Sequence, residues 1–365
     1  MLRGIVVVLG KVLRPLFRRK PDYSNIRKIC VYKSGAIGDV LMSTPFLAAL
    51  RLRFPNAQID YWVGNWAKDG LFGNPNVNNV ITYDPKPFYK HKMGPITDLA
   101  KRIRKEKYDI MFVLDKSYLV SLFGRILCRP RILVGFDRHG EGFANTVSIP
   151  YLTTIRKHEI KYYLDLALAL DANYDKADMQ LFLSADHEHF AEEFVRKLQL
   201  SDSKLVGVGP TGGNPGQDFA YRKWPLERFI QVVKRLEEKG YAVLLFGGPG
   251  DYEELERIVA ETSAKIVKSP TILEAAAVLK KCKLLICNDA GIMHVGAAGG
   301  VPVLSLFGST DPIRKAPLGK KNKYLWKPMA VQDAEVFAVY SEAHTVNITK
   351  IQAQEVLDAV DEMLG

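Results

Sequence analysis

"LLICNDAGIMHVGAAGGVPVLSLFGSTDP", residues 284–312, reads as a strand, a turn, a short helix and a second strand in one continuous run. Leu284 to Cys287 is unbroken apolar sequence, the pattern of a strand buried on both faces. Asn288, Asp289, Ala290 and Gly291 predict the turn, and a helix is expected from Ile292 to Ala298. Gly299 and Gly300 close that helix, and Pro302 blocks its continuation. The next apolar run ends at Phe307 and delivers Gly308, Ser309 and Thr310. Such a unit builds parallel sheets, whose ligands bind beyond the carboxyl ends of the strands. Gly291 permits close approach at a helix start, where backbone N–H groups suit a phosphate, and His294 lies one turn further in.

The same alternation extends outward over the chain. Strands are expected at 28–33, 58–63, 79–83, 109–114 and 131–134, with helices at 45–54 and 96–106. The scheme then repeats, with strands at 205–209, 242–247, 265–267, 284–287 and 303–307 and helices at 225–239, 252–262 and 272–281. Two series of buried strands separated by helices imply an α/β protein of two doubly wound, Rossmann-like halves facing each other across a cleft. The stretch DANYDKADM, residues 171–179, breaks the periodicity and marks the junction. The expected organisation is a leader over 1–26, domains over 27–175 and 176–345, and a C-terminal helix within 346–365.

A length of 365 residues suits two domains, and 47% hydrophobic with 25% charged residues excludes a disordered or membrane-embedded chain. The net charge is +11, but residues 1–20 carry six basic side chains and no acid. With most of the excess there and no aromatic-basic platform, nucleic acid is not an expected partner. Cys30, Cys128, Cys282 and Cys287 form no CxxC pair and lie near no histidine at ligand spacing, which predicts buried thiols in a reducing compartment. No GxGxxG with a downstream ribose-binding acid is present, so a nicotinamide enzyme fits poorly.

The leader, MLRGIVVVLGKVLRPLFRRK, has a continuous apolar run of only Ile5 to Leu9, far short of the roughly 20 residues that span a bilayer. It has no small-residue cleavage site. Ile5, Val8, Leu9, Val12, Leu13, Leu16 and Phe17 recur at helical spacing, with Arg3, Lys11, Arg14 and Arg18 opposite. That predicts a basic amphipathic helix lying on a membrane surface, kinked at Pro15.

"KSGAIGDVLMSTP", residues 33–45, places Asp39 after two glycines where a strand gives way to a helix. Gly35 and Gly38 suggest close approach by a ligand, and the acid argues against that ligand being a phosphate. Asp39 is either a helix cap or a base that takes a proton from a hydroxyl. Thr44-Pro45 offers a separate helix start, which would leave Asp39 in a loop.

VYKSGAIGDVLMSTP (31–45) and NDAGIMHVGAAGGVPVLSLFGSTDP (288–312) resemble the two signatures of the ADP-heptose:lipopolysaccharide heptosyltransferases, glycosyltransferase family 9. Between them, GPTGGNPGQDFAYRKWP (209–225) and LLFGGPGDYEE (244–254) are similar to that family's loop before a basic-Trp-Pro helix start and to the strand and turn that follow. The resemblance implies a GT-B fold, with acceptor held by the first domain and sugar nucleotide by the second. It also implies an inverting displacement at the heptose anomeric carbon with ADP as leaving group and Asp39 as general base.

Lys33, Ser34, Gly35 and Gly38 then border the acceptor, and Arg125, Arg129, Arg131 and Arg138 are candidates for its carboxylates and phosphates. Thr211, Arg222, Lys223, Asp289, Ala290, Gly291 and His294 match the donor contacts. Ala290 departs from the threonine common in the family. Asp251 or Glu253 is the candidate for the ribose, and Thr271-Ile272 for the base. No DxD motif is present, so neither metal nor cofactor is expected. The implied partners are ADP-heptose, a lipid A–Kdo acceptor and the inner face of the bacterial inner membrane. Two alternatives stay open: another sugar nucleotide with an O-antigen or capsular acceptor, and a membrane-docked glycolipid-binding protein without turnover.

Overall fold

The computed structural model describes residues 8, 10, 12, 21–90, 92–152, 155–212, 222–308, 310–327 and 348–365. The chain divides into two compact units, Met1–Ala177 and Asp178–Gly365. Each is built on one six-stranded parallel sheet.

The first sheet contains β1 (Lys28–Lys33), β2 (Gln58–Gly64), β3 (Asn79–Tyr83), β4 (Ile110–Val113), β5 (Ile132–Asp137) and β6 (Val147–Pro150), in the order β3-β2-β1-β4-β5-β6. The second contains β7 (Lys204–Gly209), β8 (Tyr241–Leu245), β9 (Lys265–Ile266), β10 (Leu285–Asn288), β11 (Val303–Phe307) and β12 (Lys323–Trp326). Its order, β12-β11-β10-β7-β8-β9, is the same topology read from the other edge. In each sheet the winding reverses between the first and fourth strands, β1/β4 and β7/β10. That reversal leaves an opening beyond the strand ends where ligands of this fold bind.

Central strands are buried throughout because helices cover both faces: every position of IMFV in β4 and of LICN in β10 is buried, Asn288 at the end of β10 being the one polar residue of the two. The strands absent from the sequence reading, β6 and β12, are each one edge of their sheet, half-buried and interrupted by Ser148 and Pro150 or Lys323. An edge strand needs no continuous apolar run, and a proline is tolerated there because one side of the ladder is open.

The helices bury apolar stripes at three-four spacing: Ile96, Leu99, Ala100 and Ile103 in Met93–Lys105, and Phe229, Ile230, Val233 and Leu236 in Leu226–Glu238. Helix Ala353–Leu364 packs Val356 and Val360 into the second unit's core. Trp224 joins that core at 2% exposure, edge-on to Phe229 at 4.9 Å, and donates its indole N–H to the Ile351 carbonyl at 2.9 Å. All four cysteines are free and buried. Burial pushes the Cys282 thiol up to about 12 and raises the other three as well.

The predicted leader helix falls almost wholly outside the described residues. Only Val8, Gly10 and Val12 are described there; all three are helical, with both valines exposed. No helix among the described residues is long and apolar enough to cross a membrane.

Candidate active site

Beyond β1, Lys33, Ser34 and Gly35 turn the chain into a short helix, α1 (Ile37–Met42). Asp39 is its third residue, so it neither caps the helix nor lies in a loop. The N-cap is Ala36, which has no side chain able to accept an amide. Ser43 and Thr44 are fully buried and close the turn into the next helix, donating to the carbonyls of Val40 at 2.7 Å and Leu41 at 2.8 Å. Gly38 is buried within α1.

Lys33 is buried, and its Nζ donates to Asp115 Oδ1 at 2.8 Å. Asp39 Oδ2 lies 3.8 Å from the same ammonium, with the Asp39 side chain 26% exposed. Burial works against the Lys33 charge, but Asp115 and then Asp39 outweigh it and hold the ammonium above the ordinary lysine range. A Cβ on Gly35 would sit 2.9 Å from Asp39 Oδ2 and 2.9 Å from Lys33 Cε, so any larger residue makes one of these two side-chain ends shift. Tyr61, whose hydroxyl is 3.0 Å from that of Ser43, and Tyr163 share this neighbourhood, and burial raises both phenols.

Behind it, Lys116 pairs with the fully buried Glu159, which also accepts from the Tyr151 hydroxyl at 2.7 Å. The four candidate acceptor arginines separate. Arg129 donates to Ile126, Arg131 to the carbonyls of Asp22 and Ser24, and Arg125 to Thr146. Arg138, directly beyond β5, keeps a buried Nε that has no hydrogen-bond partner among the described residues.

In the second unit, Thr211 follows β7 and is buried, with Gly247 beyond β8 closing on its hydroxyl. Asn288, the last residue of β10, ties this edge together. It donates to the Pro210 carbonyl at 2.6 Å and accepts from the Trp224 amide at 3.1 Å. Asp289 follows, buried, with Arg222 Nε 3.7 Å from an Oδ2 that makes no hydrogen bond among the described residues.

Ala290 is the N-cap of α2 (Gly291–Ala298) and offers no side-chain acceptor; the Met293 amide pairs with the Ala290 carbonyl at 3.1 Å, which leaves the Gly291 and Ile292 amides for water or an anion. His294 is buried one turn in, and the Thr310 hydroxyl beyond β11 is buried with no hydrogen bond among the described residues. The structure thus gathers Thr211, Arg222, Asp289, Ala290, Gly291 and His294 at one sheet edge.

Lys223 instead pairs with Glu254 at 2.6 Å. Asp251 accepts the Gly248 amide at 2.9 Å, and Thr271 caps its own helix. Residues 213–221 of the predicted loop lie outside the described residues. Sequence reasoning did not single out Asp115, Asn288 or Thr310 as a site residue. The available signal was position: each is polar and closes an apolar strand at its carboxyl end.

Residues 96–340 match the profile of glycosyltransferase family 9 (heptosyltransferase). The chain is 28% identical over 307 residues to lipooligosaccharide heptosyltransferase 2 of Haemophilus influenzae, covering 78% of this chain and 84% of that one. The crystal structure of a family 9 glycosyl transferase from Veillonella parvula superposes with a TM-score of 0.76 at 25% identity, over 95% of this chain and 99% of the other. The E. coli ADP-heptose lps heptosyltransferase II shares the fold, with a TM-score of 0.72 at 23% identity over 92% and 98% of the two chains. With a profile match over most of its length and the two-sheet fold in common, the chain belongs to glycosyltransferase family 9, the heptosyltransferases.

Proposed function

We propose that the protein transfers heptose from ADP-heptose to a lipopolysaccharide inner-core acceptor of the lipid A–Kdo type, with inversion, without a metal, and with Asp39 as general base. The observation that carries this reading is the placement of Asp39. It lies in the first turn beyond β1, partly exposed, beside a buried ammonium and next to a glycine that clears the approach.

An alcohol is a poor nucleophile until its proton has somewhere to go, and an ionised carboxylate within hydrogen-bond reach supplies that. The acceptor oxygen attacks the anomeric carbon as the bond to the ADP oxygen breaks, and the proton passes to Asp39. The open amides of α2 and the Arg222 guanidinium take the charge that develops on the departing pyrophosphate. Arg222 is placed for this beside Asp289 at 3.7 Å, whereas Lys223 is turned to Glu254 at 2.6 Å. Asp289 would repel phosphate and is assigned to donor hydroxyls, together with His294. Arg138 is assigned to an acceptor anion. The basic leader would hold the protein on the cytoplasmic leaflet, where such an acceptor is presented.

The test is a transfer assay with ADP-heptose and truncated lipid acceptors, read by mass spectrometry, with chelator added in a parallel arm. Asp39→Asn is expected to lose about 10²- to 10⁴-fold in kcat while ADP affinity is kept. Full activity in that variant, or loss of wild-type activity to chelator, overturns the mechanism. Ala290 favours one second reading, because it lacks a hydroxyl beside the donor sugar: the same chemistry with another sugar nucleotide. Calorimetric preference for UDP or GDP over ADP would select it. Absence of turnover with any donor would select a binding protein.

A further inference from the structure

Asp115 occupies in the first sheet the position that Asp289 occupies in the second, two residues beyond the last pair of the fourth strand with the first, Val113 with Tyr32 and Cys287 with Gly209. The Leu114 amide still pairs with the Tyr32 carbonyl at 3.0 Å, and Asp115 comes next. The two carboxylates are used differently. Asp289 retains a buried oxygen with no hydrogen bond among the described residues. In Asp115, Oδ1 accepts from Lys33 Nζ at 2.8 Å, and Oδ2 accepts from the Ser34 amide at 2.9 Å and the Ser34 hydroxyl at 2.8 Å. A carboxylate engaged on both oxygens is an anchor rather than a ligand site.

We propose that Asp115 is a positioning residue for Asp39: by holding the Lys33 ammonium and pinning Ser34, it fixes the turn from which Asp39 is presented and keeps Lys33 from closing onto it. This rests on the reading of Asp39 as the base. A buried ammonium requires a close counter-charge, and Asp115 supplies it at 2.8 Å. Asp39, at 3.8 Å from the same nitrogen, is the more distant of the two carboxylates. The trio carries a net charge of −1.

Without Asp115, Asp39 is the one carboxylate among the described residues that balances Lys33, and the ammonium closes on it, which makes it a weaker base. Without Lys33, two carboxylates share the pocket and Asp39 holds its proton more tightly. Among the described residues, the other groups around this trio are Tyr61 from β2, Tyr163 from the helix Glu159–Leu168 and Tyr32 from β1, which faces Asp115, with Glu159 and Lys116 paired behind them. All three phenols are raised by burial and stay neutral through an ordinary assay range.

The experiment first establishes that the full-length wild type transfers heptose from ADP-heptose. It then compares kcat, donor KM, ADP affinity by calorimetry and the pH profile of kcat/KM for the acceptor in Asp115→Asn, Asp115→Glu and Lys33→Met. Asp115→Asn is expected to lose about 10- to 100-fold in kcat, the scale of an ångström misplacement, with ADP affinity within about twofold of wild type. Its acid limb is expected to move down by about one unit, and that of Lys33→Met to move up by as much. Asp115→Glu restores the limb while kcat stays low.

Limbs that move together, or not at all, in folded variants overturn the proposal. If Asp115→Asn does not fold, Lys33→Met and Asp115→Glu decide it by the same shifts. If the wild type proves inactive, the functional reading falls, and titration of the Asp39 carboxyl by ¹³C NMR in these variants still decides the clamp by the same opposed directions.

Discussion

Gly35 stands where a larger residue would meet the side-chain ends of Lys33 and Asp39. Its missing side chain is the space between Lys33 and Asp39, and a methyl group there would press on both at 2.9 Å. Gly35→Ala is therefore expected to displace one member of the pair and lower kcat by about 10- to 100-fold, with ADP affinity unchanged. Steady-state kinetics beside calorimetry on the same sample check this; wild-type kcat in the alanine variant would show that the spacing is immaterial. The residues of this turn were readable in the chain because they are neighbours in it. Asp115 was not, since its partner Lys33 is 82 positions away and only the pairing of β1 with β4 brings them together.

At the scale of elements, Asn288 shows how one strand end organises a site. Its two hydrogen bonds join the segment after β7 to the start of the Trp224 segment, bringing Thr211 and Arg222 to the same edge. Asn288→Ala leaves the Pro210 carbonyl and the Trp224 amide buried and unsatisfied, each worth about 1–3 kcal/mol. The expected loss is about 2–4 kcal/mol by urea unfolding, with weaker ADP binding at temperatures where the variant is folded. Tight ADP binding in a destabilised variant would limit Asn288 to a structural role. Helix α2 was predicted to start at Ile292 and starts at Gly291, because a turn, a glycine stop and a proline mark it locally. Helix α1 was not predicted. It is six residues long, has no side-chain cap, and is held by packing of Val40, Leu41 and Met42 rather than by any local signal.

Across the whole molecule, one strand order is used twice, and the same switch position carries a carboxylate hydrogen-bonded through both oxygens in one unit and a carboxylate whose buried Oδ2 makes no hydrogen bond among the described residues in the other. The leader acts at this scale too, since six basic residues in the first twenty concentrate charge at one end. The full chain is expected to sediment with vesicles containing anionic lipid and to detach as salt rises, and a chain lacking residues 1–20 is expected to remain in solution. Equal sedimentation of the two would assign membrane contact elsewhere.

The amino-acid order alone determined the alternation of buried strands and helices, the doubling of the architecture and the turns that carry Asp39 and Asp289. All of these follow from the pattern of neighbouring side chains. Tertiary structure decided which charges are available. Asp115 engages Lys33, Glu254 balances Lys223, and backbone carbonyls take up Arg129 and Arg131, while Arg138 keeps a buried nitrogen without a hydrogen bond among the described residues. Most of these partnerships come from segments distant in the chain, and their strength depends on separations and burial that only the folded backbone sets.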